Sequence, residues 1–313
     1  MSPSLEPTAA QTNPAPKNNI PITNNTSPVR SFVKYHHDTY PAINPLNTNL
    51  SGKSVVITGA SKGVGYATAL SFAAAGCSKI AIAARSPLDK LHDEILLTAR
   101  NAGRGPPLIV SQAVDVTSEE DVKSFAETVT EKFNNKLDIL INNAGYLEEW
   151  TPISESQSDE WWKTWEINIK GLYLCSKYFI PLVLNSETKT VINVSSNGAH
   201  NTTYGASAYQ TSKFAVCRLA EFMTNDYWER GLVAMAVHPG SVMTELAKGM
   251  PEYMHELLVD TPQLPADTMV WLGSERREWL AGRFVCTNWD IEELEGKKRD
   301  IEDGDLLKFR LVV

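Results

Sequence analysis

Three side chains suited to proton transfer stand at fixed spacing in the second half of the chain. Ser196 precedes Tyr209 by thirteen residues, and Lys213 follows Tyr209 by four. Side chains four residues apart share one face of a helix, so Tyr209 and Lys213 are expected to be neighbours. A phenol with a pKa of about 10 is a poor proton donor near neutrality, and a nearby ammonium favours its anion. We therefore expect Lys213 to lower the pKa of Tyr209, and the three residues to perform acid–base chemistry on a carbonyl or alcohol.

A glycine-rich turn lies far upstream of these residues. Residues 55–57 predict a buried strand, residues 58–65 read Thr-Gly-Ala-Ser-Lys-Gly-Val-Gly, and a helical pattern follows at once. Glycines permit positive φ and close approach of a pyrophosphate, whose charge the first amides of the helix attract. Alone, this turn is equally compatible with a purely structural role. Together with Tyr209 and Lys213 it predicts a dinucleotide-dependent oxidoreductase.

These motifs resemble those of the classical short-chain dehydrogenases/reductases over roughly residues 51–250, and the chain is similar in its tail to fungal members. The resemblance implies a catalytic tetrad of Asn168, Ser196, Tyr209 and Lys213. Ser196 and Tyr209 would donate to the substrate oxygen, and Lys213 would also hold the nicotinamide-ribose hydroxyls. Asn168, in the run Ile-Asn-Ile-Lys-Gly of residues 167–171, would bind a water that continues the proton relay.

The resemblance also implies a cofactor site spread over the ends of several strands. Asp115 would reach the adenine amino group, although it is also placed to cap a helix. Residues 142–145 would support the sheet and border the adenosine ribose, and residues 238–244 would hold the carboxamide. The expected cofactor residues are Gly59, Ser61, Lys62, Gly63, Val64, Gly65, Arg85, Ser86, Asp115, Val116, Asn142, Ala144, Gly145, Tyr209, Lys213, Pro239, Gly240, Val242 and Thr244.

The end of the second strand predicts which dinucleotide binds. An NAD enzyme usually has an acidic residue there for the ribose hydroxyls. This chain has Ala84 followed by Arg85, whose guanidinium suits a 2′-phosphate, and Lys62 adds a second cation. We therefore predict NADP(H), and no metal.

The substrate residues are predicted from loops at the carboxyl ends of the strands. The segment from 243 to 258 is rich in Met, Tyr and Leu, and the predicted wall has no fixed charge that would select a phosphate or carboxylate. We therefore expect the substrate to be a lipophilic carbonyl compound or a secondary alcohol. The resemblance to fungal proteins suggests a role in secondary metabolism. The side chains expected to contact the substrate are Tyr146, Asn197, His200, Tyr204 and Met243.

The elements that position these residues alternate between short β-branched runs and longer helical patterns, which is typical of an α/β protein with a parallel sheet. The predicted strands are 54–58, 79–83, 108–113, 139–142, 190–194, 233–237 and 283–286. The predicted helices are near 63–75, 88–102, 118–134, 159–184 and 207–230. The resemblance implies a doubly wound Rossmann fold with a seven-stranded, mainly parallel sheet and helices on both faces.

The chain is predicted to divide into four parts. Residues 1–30 have few large apolar side chains and predict a disordered arm. Residues 31–50 carry apolar anchors for docking, and the pair His36 and His37 indicates a docking contact rather than a metal site. Residues 51–290 form the catalytic domain, in which prolines break a lid at about 244–265 into short pieces. Residues 291–313 are a C-terminal extension with a solvated surface.

Composition excludes several other classes of protein. The chain has 29 Lys and Arg against 37 Asp and Glu, which disfavours nucleic acid as a partner. It contains no apolar run long enough to span a membrane and no signal-peptide pattern, so a cytoplasmic location is expected. The four cysteines lie in apolar surroundings and predict buried thiols.

The sequence thus favours an NADP(H)-dependent oxidoreductase that interconverts a lipophilic ketone or aldehyde and an alcohol. Two alternatives remain open. The same tetrad serves a cofactor-retaining epimerase or isomerase, and a non-catalytic NADP-sensing protein would bind without turnover. Apolar side chains on the helices near 159–184 and 207–230 predict a homodimer or homotetramer, as in the family.

Overall fold

A computed structural model describes residues 28–311. The strands are β1 Ser54–Thr58, β2 Lys79–Ala84, β3 Leu108–Ala113, β4 Ile139–Asn142, β5 Thr190–Val194, β6 Val233–His238 and β7 Phe284–Cys286. The α-helices are α1 Pro28–Ser31, α2 Gly63–Ala74, α3 Asp89–Asn101, α4 Glu119–Lys132, α5 Ser158–Trp165, α6 Leu172–Val183, α7 Ser207–Asp226, α8 Gln263–Ser274, α9 Ile291–Gly296 and α10 Lys298–Asp303.

The seven strands form one sheet in the order β3-β2-β1-β4-β5-β6-β7, and every pairing is parallel. Strands β1, β4, β5 and β6 are buried at every position, as expected for a sheet covered on both faces. The strand order reverses between β1 and β4. In open α/β sheets, ligands bind at the carboxyl ends of the strands beside such a reversal. The predicted doubly wound Rossmann fold is therefore confirmed.

Three helical predictions need correction. The predicted helix 159–184 is α5 and α6 joined by a π-helical segment, Glu166–Gly171. The predicted helix 207–230 ends at Asp226, and a 3-10 turn, Trp228–Arg230, then closes on Gly231 at φ +77°. Helix α8 was missed because Pro262 and Pro265 were expected to prevent it. Pro262 precedes the helix, and Pro265 lies in its first turn, where a backbone amide has no intrahelical partner to lose.

Residues 34–40 of the predicted docking segment are bonded to residues 288–291, which follow β7. Tyr35 pairs with Trp289 in an antiparallel bridge, and the Tyr40 hydroxyl donates to the Trp289 carbonyl. The predicted arm, residues 1–30, lies mostly outside the described residues. Its last residues do not extend as an arm: α1 begins at Pro28, Val29 is buried, and the Val29 carbonyl accepts a bond of 2.5 Å from the indole of Trp289.

The C-terminal extension is more than a solvated surface. Ile291, Leu294 and Ile301 are buried, and the Asp290 carboxylate caps the start of α9. After α10 the chain returns to the sheet, where the Phe284 amide donates to the Leu307 carbonyl at 2.8 Å. This return places residues 306–309 beside the ends of β5 to β7.

Candidate active site

Ser196, Tyr209 and Lys213 meet at the carboxyl end of β5. Ser196 lies two residues after the end of the strand, and Tyr209 and Lys213 are buried on α7. The Ser196 hydroxyl accepts from the Gly198 amide at 3.0 Å and lowers the pKa of the adjacent Tyr209. The Lys213 ammonium lies 5.6 Å from the centre of the Tyr209 ring and donates to the Val194 carbonyl at 2.9 Å. The structure thus brings together the three residues that the spacing predicted.

Asn168 reaches the same place from the π-helical segment. Its side-chain oxygen accepts from the Tyr146 amide at 2.8 Å, and its nitrogen donates to the Tyr146 carbonyl and to the Ser212 hydroxyl. A Cβ built on Gly145 would lie 3.5 Å from the Asn168 oxygen and 3.6 Å from the Lys213 nitrogen, so Gly145 separates these two side chains. π-Helical segments are frequent at functional sites, and this one places Asn168 near the other three residues of the predicted tetrad.

The protonation of the tetrad differs from the sequence expectation. Burial raises the pKa of Tyr209 to about 12, against a smaller lowering by the adjacent Ser196 hydroxyl. Lys213 is not among the causes of this shift, and its predicted lowering of the Tyr209 pKa stays a prediction. Burial also lowers the pKa of Lys213 to about 8. At neutral pH Tyr209 is thus a phenol, which can donate a proton, and Lys213 is mostly an ammonium.

The glycine turn is held by the loop after β4. Gly59 and Gly63 both have positive φ, and a Cβ on Gly59 would come within 2.7 Å of the Ala144 backbone. The Asn143 side chain donates to the carbonyls of Thr58 and Gly59. The Asn142 side chain donates to Ser176 and Asn193 inside the sheet, in line with the supporting role predicted for residues 142–145. The contact of Asn142 with the cofactor stays a prediction.

The turn after β6 faces the glycine turn across the crevice. Gly240 has φ +81°, and a Cβ on Gly63 would lie 3.1 Å from the Thr244 methyl group. The first amides of α2, which lack intrahelical partners, lie directly after the glycine turn. These segments could hold a dinucleotide, whose pyrophosphate the amides at the start of α2 would attract.

Arg85, the cation predicted to bind the 2′-phosphate, follows β2 directly. Ala84 is buried, whereas Arg85 and Ser86 are exposed. Burial alone would raise the pKa of Asp115, but bonds from the amide and hydroxyl of Thr117, with the nearby guanidinium of Arg85, leave that pKa below its usual range. Asp115 therefore shapes the turn before α4, whose N-cap is Ser118. The contact of Asp115 with the adenine amino group stays a prediction.

A cavity of about 780 Å³ opens beside Ser196 and Tyr209. Asn197 and His200 line it as predicted, and so do apolar lid residues. Three predicted substrate residues do not line it: Tyr146 bonds Glu160, while Tyr204 and Met243 are exposed. The wall also includes residues that were missed, namely Val29, Arg30, Phe32, Trp150, His238, Phe284, Trp289 and residues 306–309.

The charge of this wall needs correction too. Arg30 and Lys308 line the cavity, contrary to the expectation of no fixed charge. Lys308 is paired with Asp305 at 2.5 Å. Burial lowers the pKa of His200 to about 4 and that of His238 to about 3, so both imidazoles are neutral at pH 7. Most of the remaining wall is aliphatic or aromatic, including Leu246, Met250, Met254 and Phe309.

Comparison with known proteins agrees with this geometry. The sequence model of a family described as short chain dehydrogenase matches residues 53–254. The chain belongs to the short-chain dehydrogenases. Members of this family are oxidoreductases that use NAD(H) or NADP(H). The chain is 46% identical over 280 residues to the short chain dehydrogenase mpl6 of Monascus purpureus, covering 90% of this chain and 96% of that protein.

A second relative and a solved structure extend the comparison. The short chain dehydrogenase andI of Emericella variicolor is 39% identical over 288 residues, covering 92% of this chain and 98% of the relative. The crystal structure of levodione reductase superposes with a TM-score of 0.68 at 23% identity, covering 75% of this chain and 96% of that one. At that identity the likeness shows the fold of this short-chain dehydrogenase.

Glu148 is a further side chain of this short-chain dehydrogenase that sequence reasoning missed. Glu148 is buried, and its carboxylate accepts from the Tyr209 amide at 2.9 Å and from the Thr164 hydroxyl at 3.0 Å. It thereby satisfies an amide in the first turn of α7 and fixes the position of Tyr209. Its negative charge also contributes to the raised pKa of Tyr209. The signal available in the sequence was an acidic residue three positions after Gly145.

Neither a membrane-spanning helix nor a metal-binding cluster is found among residues 28–311. Within that range no helix of this dehydrogenase combines the length and apolar character needed to cross a bilayer. The same residues contain no cluster of three or more His, Cys, Asp or Glu side chains arranged to hold a metal ion. The four cysteines are buried and form no disulfide.

Proposed function

We propose that this short-chain dehydrogenase is an NADP(H)-dependent reductase that interconverts a lipophilic ketone or aldehyde and the corresponding alcohol. The observation that carries the proposal is the position of the Ser196 and Tyr209 side chains in the wall of a largely apolar cavity. A carbonyl compound in that cavity would present its oxygen to both hydroxyls, while its apolar part contacts Leu246, Met250 and Met254.

The protonation states support the reductive direction. Tyr209, with its pKa raised by burial to about 12, holds a proton that a developing alkoxide requires. Ser196 lines the same cavity and would donate to the same oxygen. Bound NADP(H) would supply the hydride. Lys213, beside Gly145, would hold the hydroxyls of the nicotinamide ribose, and Asn168 would order the water that restores the proton to Lys213.

The preference for NADP(H) rests on the end of β2. The buried Ala84 offers no carboxylate to the ribose hydroxyls, and the exposed Arg85 offers a guanidinium that can bind a phosphate with two hydrogen bonds. Lys62 precedes α2 and is also exposed, so it can add a second cation on the same side of the crevice.

The biological setting and assembly belong to the same proposal. The relatives named above are fungal, which supports a role in secondary metabolism, with the enzyme in the cytoplasm. A homodimer or homotetramer would cover the exposed rings of Tyr173 on α6 and Phe222 on α7. Phe214, also predicted for this contact, is partly used within the chain, because its ring packs 4.8 Å from that of Phe309.

A panel of ketones, aldehydes and alcohols, scored by nicotinamide absorbance with NADPH and with NADH, tests the proposal. We expect stoichiometric loss of NADPH with at least one lipophilic carbonyl compound and a slower reaction with NADH. A product formed without net loss of cofactor would replace the reductase by an epimerase or isomerase. Binding of NADPH without turnover of any substrate would indicate a cofactor-sensing protein.

A further inference from the structure

The carboxylate of Asp260 joins three segments that are far apart in the sequence. One oxygen accepts from the Ser241 amide at 2.5 Å and from the Asn288 side chain at 2.8 Å. The other oxygen accepts from the His37 ring at 2.5 Å. The Asp260 side chain is almost fully buried, with 1% of its surface exposed. A buried carboxylate with this number of donors is held firmly in place, because each bond satisfies an oxygen that water cannot reach.

The contact with Ser241 lies in the turn that faces the glycine turn. The Asp260 amide donates back to the Ser241 carbonyl at 3.0 Å, and Val242 pairs with Asp260 in a parallel bridge. A Cβ built on Gly240 would come within 2.8 Å of the Asp260 oxygen. The left-handed conformation of Gly240 and the close approach of the carboxylate therefore occur together. Asp260 holds the start of the segment that continues to Thr244.

The contact with His37 connects this turn to the N-terminal segment. The His37 carbonyl accepts from the Thr261 amide at 3.0 Å. His37 is therefore bonded to the Asp260 side chain through its ring and to the following residue through its carbonyl. The preceding residue, His36, exchanges two bonds with Asn288, which itself donates to Asp260. His36 also donates to Asp290 at 2.8 Å and stacks on Tyr40. The adjacent histidines thus bind different carboxylates.

We propose that Asp260 is a positioning residue for the nicotinamide half of the cofactor, through which residues 36–37 fix the turn at Gly240 and Ser241. The inference rests on the proposed function, because it takes residues 238–244 as the nicotinamide side of the site. Removing the carboxylate leaves the Ser241 amide without its acceptor and releases the turn from the N-terminal segment. The adenosine half is held elsewhere, at α2 and Arg85, and does not depend on Asp260.

Two ligands separate these halves in one experiment. NADPH contains both halves, whereas adenosine 2′,5′-bisphosphate contains the adenosine half alone. Affinities are measured by calorimetry for the unaltered protein and for Asp260→Ala, Asp260→Asn and His37→Ala. We expect Asp260→Ala to weaken NADPH binding by about tenfold or more, as for a lost hydrogen bond to a charged group, and to leave bisphosphate affinity within about twofold.

The other variants serve as matched controls. The amide oxygen introduced by Asp260→Asn can still accept from Ser241, so this variant should recover most of the NADPH affinity. His37→Ala leaves the carboxylate on Ser241 but removes the N-terminal contact, so a loss of about threefold, again confined to NADPH, is expected. If Asp260→Ala does not fold, His37→Ala carries the same test with its smaller effect.

Equal weakening of NADPH and the bisphosphate in these variants would overturn the inference, because it would mean general damage to the domain. Unchanged NADPH affinity in a folded Asp260→Ala protein would overturn it as well. If the unaltered protein binds neither ligand, the proposed function is wrong, and this inference, which rests on it, is wrong as well. If the unaltered protein binds both ligands but the variants do not lose NADPH affinity selectively, the proposed function is retained and the role proposed for Asp260 is wrong.

Discussion

The cofactor crevice and the substrate cavity lie at the same edge of the sheet but are built from different parts of the chain. The crevice is formed by residues 58–65, 142–145 and 239–244, each of which directly follows a central strand. The cavity takes part of its wall from residues 29–32 and 306–309, near the two ends of the chain. The first region is encoded by local motifs, and the second depends on contacts between residues more than two hundred positions apart.

The tetrad stands between the two regions, and its loss should have the largest effect. Tyr209→Phe keeps the ring and its packing but removes the phenolic proton. Turnover should fall by about 10² or more, as is usual for general acid–base groups, while NADPH affinity is retained. Single-turnover kinetics and fluorescence titration measure the two quantities. Near-parental turnover in a folded, NADPH-binding variant would contradict the proposed mechanism.

The crevice alone should respond to a change at the end of β2. Arg85→Ala should weaken NADPH binding by about tenfold to a hundredfold, since a charge-assisted bond to the phosphate is lost, and leave NADH binding nearly unchanged. Adding Ala84→Asp should turn the preference towards NADH, because the new carboxylate can accept from the ribose hydroxyls. Equal effects on the affinities of the two cofactors in binding titrations would show that Arg85 does not bind the 2′-phosphate.

The cavity alone should respond to a change in the C-terminal segment. The Phe309 ring packs 4.7 Å from His200 and 6.4 Å from Phe284. Phe309→Ala removes part of the apolar wall and should raise the KM for the carbonyl substrate by about fivefold, with NADPH affinity unchanged. Phe222→Ala is the matched control, because Phe222 is exposed on α7 and does not line the cavity. The same rise in KM in both variants would show that the cavity wall is not the cause.

A smaller effect is expected from the charge behind the tetrad. Glu148→Gln keeps an acceptor for the Tyr209 amide but removes a negative charge that raises the pKa of Tyr209. That pKa should therefore fall. Reduction requires the protonated phenol, so the alkaline limb of the pH–rate profile should move to lower pH. A limb that moves upward, or does not move, would show that Glu148 acts by position alone.

The difference between local motifs and contacts between distant residues also explains what could be predicted from the sequence. The strands were placed within one residue at each end, because buried parallel strands leave uninterrupted β-branched and alanine-rich runs. The π-helical segment was not predictable, because residues 166–171 have ordinary helical composition and their geometry arises with packing. There a Cβ on Gly171 would come within 2.6 Å of the Val116 side chain.

The candidate site shows the same pattern at the level of side chains. Ser196, Tyr209 and Lys213 were predictable because Ser196 lies just after one strand and Tyr209 and Lys213 lie one turn apart on the next helix. Glu148 and Asp260 were not, because each acts on backbone amides that only the folded chain brings near. Tyr204 and Met243 were assigned to the substrate by their place in loops, and loop position alone does not fix the direction of a side chain.

The shared contribution of residues 29–32 and 306–309 to the cavity wall has a consequence for how such an enzyme can diverge. Residues 29–32 and 306–309 lie outside the elements that carry the tetrad and the glycine turn. Substitutions or short insertions in these two segments can therefore reshape the cavity while the strands and α7 keep their sequences. Selection can then change the cavity and the tetrad separately, so duplicated copies can acquire new substrates by changes in these two segments.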